Sequence, residues 1–140
     1  MNDVDTIHQT VDLTNAWLRE IATGMHAQDP RDAWAALRVV LHALRDQLPD
    51  AEGAHLAAQL PMLVRGLWYE GWQPGRMHRA ASREDYLHRI RVALDRTRPV
   101  DPQLAVHAVM ATLKRHVSAG ELRDLHAVLP AELRGILAPA

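Results

Sequence analysis

The chain contains itself twice. Sliding the 140-residue sequence along itself by 69 positions lays residues 17–71 over residues 86–140 without a gap. Leu60-Pro61 falls on Leu129-Pro130, and Arg65-Gly66 falls on Arg134-Gly135. Glu52, Leu56 and Ala58 meet Glu121, Leu125 and Ala127, while Ala36, Val40 and Leu44 meet Ala105, Val109 and Leu113. Asp32 meets Asp101, and Leu18 and Ile21 meet Leu87 and Ile90. A period of this kind constrains architecture before any local pattern is read.

Each half reads as helix throughout. Leu13, Trp17, Leu18, Ile21 and Met25 recur at three- and four-residue spacing, which places them on one stripe. Asp29-Pro30 supplies a cap and a first-turn proline, where the missing N–H costs nothing. Ala33, Ala36, Leu37, Val40, Leu41, Leu44 and Leu48 then predict a long amphipathic helix. Shorter helices follow after Pro49 and Pro61, the last carrying Leu63, Leu67 and Trp68. In the second half, Ser82 with Asp85 forms a loose capping box and Asp101-Pro102 starts the long helix. Ser118-Ala-Gly-Glu121 is a full box in which each side chain serves a backbone donor of the other residue. Pro130 opens a turn-rich final helix to Leu137.

The expectation is an all-α protein of about eight helices. They form two tandem four-helix repeats, packed with pseudo-two-fold symmetry into one compact domain. A tail covers residues 1–11, the first repeat 12–72, a linker 73–81 and the second repeat 82–140. A half of this size has a marginal core, so the two halves are expected to share one.

Composition narrows the function classes. With no cysteine there is neither a disulfide nor a thiolate metal site, in keeping with a reducing cytoplasm. The polar, acidic first residues do not resemble a secretory signal, and no apolar run is long enough to span a bilayer. Residues 1–72 carry 5 arginines against 10 acids, whereas residues 73–140 carry 11 basic residues against 7 acids. The basic second half admits weak nucleic-acid binding. No block of consecutive basic residues and no reader motif supports it, so nucleic acid is disfavoured as a partner.

Polar residues kept in both halves are expected to serve the scaffold: Asp32 with Asp101, Glu52 with Glu121, Arg65 with Arg134, Gly66 with Gly135. The acids favour helix N-termini. A Glu–Arg ion pair in each half and close helix approach at the paired glycines complete this expectation. Residues found in one half only are the functional candidates. Trp68, Tyr69 and Trp72 form an aromatic surface of the sort that anchors interfaces, with Trp68 and Trp72 on one face if their helix runs through Gly71. Arg76, Arg79, Arg83, Arg89 and Arg91 form a basic patch. The 9 histidines include no H-x-x-H or H-x-x-x-H pair, and no phosphate loop or nucleophile elbow is present. No metal, no cofactor and no catalytic set is therefore expected.

Two stretches carry a resemblance: residues 36–49, ALRVVLHALRDQLP, and residues 60–72, LPMLVRGLWYEGW. They resemble a bacterial family known only as domain of unknown function 2267, and residues 118–136 are similar to that family's C-terminal portion. The resemblance implies a small soluble helical protein without assigned catalytic residues. The function expected is a non-enzymatic interaction or regulatory module that meets a protein partner or a second copy of itself. The alternative is a small-molecule ligand in a cleft between the repeats, where Met25, Met62 and Met110 give plasticity.

Overall fold

A computed structural model describes residues 3–137. Seven α-helices follow in order: α1 (Asp3–Met25), α2 (Pro30–Arg45), α3 (Asp50–Ala57), α4 (Met62–Tyr69), α5 (Arg83–Asp95), α6 (Pro102–His116) and α7 (Ala119–Val128). A 3₁₀ helix, Ala131–Leu137, closes the fold, and the described residues hold no strand. None of the described helices is long and apolar enough to cross a membrane.

Local chemistry sets most of these boundaries. Asp29 accepts from the Arg31 amide at 2.9 Å with Pro30 at the first helical position, and Asp101 accepts from the Gln103 amide at 2.8 Å ahead of Pro102. Ser82 and Ser118 each accept from the amide three residues on, at 3.0 and 3.2 Å. The helix α4 has no side-chain cap of its own, because Pro61 precedes it. Thr10 supplies one from α1, its hydroxyl accepting from the Leu63 amide at 3.1 Å.

That contact accompanies a first difference from expectation. Helix α1 begins at Asp3, so most of the stretch expected as a tail is helical. Nothing between Asp3 and Thr10 breaks a helix, and Asp3 and Asp5 lie where the helix dipole favours acids. A second difference is the end of α4, which stops at Tyr69. Gly71 takes φ +70°, the left-handed conformation that glycine adopts without strain. The helix therefore does not carry Trp68 and Trp72 on one face.

Helix α1 packs on α2 and α6, and α5 likewise on α6 and α2. Helices α2 and α6 pack on each other, and α3 packs on α7. Trp17, Ile21, Leu37, Leu41, Leu44, Trp68, Tyr86, Ile90, Val109 and Leu113 are all buried in one cluster drawn from both halves. Among the glycines the tightest site is Gly24 of α1, where an added Cβ would stand 3.0 Å from the Ala108 Cβ of α6. Gly66 and Gly135, expected at such approaches, face open space within 4 Å.

Candidate functional site

The aromatic candidates separate. Trp68 is fully buried, while Tyr69 and Trp72 are partly exposed and meet edge to face, with ring centroids 5.5 Å apart. Trp68 is thus core, and the exposed aromatic surface is the Tyr69–Trp72 pair. Trp72 also borders a cleft of about 210 Å³ beside Arg45, Asp50, Arg76 and His78. The polar side of α2 holds this end of α4 in place. Arg45 donates to the Trp68 and Glu70 carbonyls at 2.7 Å each, and Arg38 pairs with the Glu70 carboxylate at 2.6 Å.

The basic candidates are engaged to different degrees. Arg89 donates to the His78 carbonyl at 2.7 Å and pairs with Asp85 at 3.0 Å, and Arg79 donates to the Val128 carbonyl. Arg76 donates to the Gln73 side chain, also in the linker, at 2.8 Å. Arg83 and Arg91 are exposed and have no ion-pair partner among the described residues. Arg79 and Arg89 therefore pin the linker, Arg89 with its charge paired and Arg79 with its side chain still exposed. Gln47, fully buried, completes that fastening: its Oε1 accepts from the Ala80 amide at 2.8 Å and its amide donates to the His78 carbonyl at 3.4 Å.

The paired scaffold residues have diverged. Asp32 pairs with Arg98, which also reaches Asp29 at 3.0 Å, whereas Asp101 caps α6. Arg65 does not pair with a glutamate. It donates to the carbonyls of Ala57, Ala58 and Leu60 at 3.0, 3.1 and 3.2 Å and so closes the end of α3. Arg134 has no ion-pair partner among the described residues, so the expected Glu–Arg pairs are not formed. Glu52 and Glu121 instead turn inward, each with a sealed carboxylate oxygen that no donor meets.

Two further clefts lie where the halves touch. Between α2 and α5 is a cleft of about 330 Å³, with Val39, Ala43, Ile90 and Ala93 as its apolar surface and Arg38, His42, Asp46, Arg89 and Arg96 as its polar one. Burial pushes the Asp46 carboxyl above the usual aspartate range, against the pull of Arg45, His78, His42 and Arg89. Its carboxylate makes no hydrogen bond among the described residues. Burial also lowers His42, whose Nε2 lies 2.8 Å from the Leu67 carbonyl. A carbonyl can only accept, so Nε2 carries the hydrogen and a neutral His42 keeps Nδ1 as an acceptor. The guanidinium of Arg96 is exposed and unpaired among the described residues.

The cleft between α1 and α6 is wider, about 600 Å³; its Glu20 and Arg115 are spent on each other, while Arg19 on its rim is exposed. Glu20 accepts from Arg115 at 3.1 Å and lies 2.9 Å from the His116 ring, which stacks on Trp17 with centroids 5.1 Å apart. No group of three His, Asp or Glu side chains among the described residues could hold a metal ion. Asp46, Gln47 and Arg96 are not among the sequence candidates. The only available signal was that His42 and Asp46 lie four apart on the polar side of an amphipathic helix.

Over the described residues the fold is all-helical, with clefts at its helix junctions. The chain belongs to the family described as "Uncharacterized conserved protein (DUF2267)", which matches residues 14–136. This bears out the resemblance carried by the Leu60–Trp72 run. Among curated proteins, none matches the chain.

Proposed function

We propose that this chain is a non-catalytic binding module of the bacterial cytoplasm. Its ligand is a small molecule with an anionic group and a hydroxyl or amino donor, seated between α2 and α5. The observation that carries this reading is the unequal fate of two equivalent clefts. Shifted by 69 positions, Arg38, Val39, His42, Asp46, Arg89 and Ala93 of the α2–α5 cleft become His107, Ala108, Ala111, Arg115, Glu20 and Gly24 of the α1–α6 cleft. That correspondence, with the reciprocal helix contacts, supports two repeats related by a pseudo-two-fold axis that passes between α2 and α6.

In the α1–α6 cleft the acid and base at these positions bond to each other. In the α2–α5 cleft Arg89 is drawn off to Asp85 and the linker, so Asp46 keeps an open carboxylate and Arg96 an open guanidinium. Arg96 suits an anion, while Asp46 and the His42 Nδ1 suit a donor. The volume, about 330 Å³, is at the lower end of small-molecule pockets. The test is thermal unfolding against a panel of amino acids, hydroxy acids and sugar phosphates. A hit should raise the midpoint of the parent chain and leave Arg96→Ala and Asp46→Asn unmoved; a panel without a hit, or hits unaffected by both variants, argues against the site.

The exposed Tyr69–Trp72 pair favours a second reading, a contact with a protein partner or a second copy. Sedimentation of the parent chain and of Trp72→Ala tests it: equal, concentration-independent behaviour removes self-association.

A further inference from the structure

Helices α3 and α7 pack against one another, and a two-bond clip fastens them. The Ser118 amide donates to Gln59 Oε1 at 2.8 Å, and the Gln59 amide donates to Ser118 Oγ at 3.2 Å. In a complete capping box the Ser118 amide would go to Glu121. Gln59 takes it instead, and the Glu121 side chain folds into the seam, where the residue is 7% exposed. Its Oε1 and the Oε2 of Glu52 are both closed to solvent and meet no hydrogen-bond donor. The charged groups acting on Glu121 are Glu52 and His55 from α3 and Asp124 from its own helix. Glu52 and Glu121 also occupy matching positions of the 69-residue offset.

Two ionised carboxylates cannot both rest there cheaply, since each has a desolvated oxygen and they repel. A proton on Glu121 removes both the repulsion and the buried charge. We propose that Glu121 holds a proton in the α3–α7 seam beside Glu52, and that its release as pH rises loosens α7 from α3. Burial, and then the charge of Glu52, lift Glu121 above the usual glutamate range, in the same sense. A carboxyl raised in the folded state adds stability at low pH, and that stability is lost as pH climbs through the folded value.

The experiment is urea unfolding of the full chain and of Glu52→Gln and Glu121→Gln from about pH 5 to about pH 8.5, with side-chain carboxyl ¹³C titration of the unmodified chain. The proposal expects the parent midpoint to fall with rising pH relative to either variant. It also expects one glutamate resonance to titrate above the ordinary value of about 4.3. Three results overturn it. In the first, every glutamate titrates near the ordinary value. In the second, Glu121→Gln is less stable than the parent at every pH. In the third, added magnesium or calcium chloride raises the parent midpoint at high pH but not the variants', which assigns the site to a cation. Should Glu121→Gln not fold, the ¹³C titration decides alone.

Discussion

Alanine at Gly24 and at Gly66 should shift stability in opposite directions. Glycine inside a helix costs about 0.5–1 kcal/mol relative to alanine, through the extra backbone freedom that folding removes. At Gly66, within α4, a new Cβ meets nothing within 4 Å, so nearly the whole gain is expected. In a chain of this size that amounts to a rise in melting temperature of about 2–4 °C. At Gly24 the new Cβ would stand 3.0 Å from the Ala108 Cβ and 3.4 Å from its Cα. Carbon atoms are comfortable at about 3.5–4.0 Å, and neither atom belongs to a flexible side chain, so α1 and α6 must separate. Separation loosens the row of Trp17, Ile21 and Met25 that seals α1 to the core. Overpacking of this kind costs about 1–3 kcal/mol and outweighs a propensity gain that is small in a last turn. Urea unfolding with linear extrapolation gives both values. A double-mutant cycle with Ala108→Gly then isolates the contact, and the second glycine should recover part of the Gly24→Ala loss. Destabilisation by Gly66→Ala, or a Gly24→Ala variant that is neutral and uncoupled to position 108, would refute the packing argument.

Gln47→Ala should cost about 2 kcal/mol in the same assay, because it strands the buried Ala80 amide and releases the linker. Trp68→Ala should cost about 3–5 kcal/mol, as removal of a fully buried indole does, whereas Trp72→Ala should leave far-ultraviolet helicity intact and stability within about 0.5 kcal/mol. For Glu20, burial pushes the carboxyl up, but the bonds from His116 and Arg115 prevail and hold it below the usual glutamate range. Its stabilisation is therefore full above about pH 4.3 and fades as pH falls through the lower folded value. Glu20→Gln should lose about 0.5 kcal/mol at neutral pH, discounted for partial exposure, and the difference from the parent should close on acidification.

What could be read from the sequence was local. The stripes of Ala36, Val40 and Leu44 and of Ala105, Val109 and Leu113 place buried faces, and Asp29-Pro30, Asp101-Pro102, Ser82 and Ser118 mark helix starts where the structure has them. What was missed depends on partners distant in the chain. The sequence cannot show that Thr10 caps α4, or that Gln59 takes the amide which a capping box assigns to Glu121. Gly24 and Gly66 are alike as helical glycines, and only the presence of Ala108 distinguishes them. The α2–α5 cleft is assembled from side chains on two separate helices, so Asp46 and Arg96 carry no motif that spacing could reveal.

The central claim is that the α2–α5 cleft takes a small ligand. The most direct measurement is a native mass spectrum of gently purified chain beside Arg96→Ala and Asp46→Asn. The account predicts a discrete added mass on the parent that both variants lack. A bare parent seen only as integer multiples of the chain mass would contradict it and move function to the Tyr69–Trp72 surface.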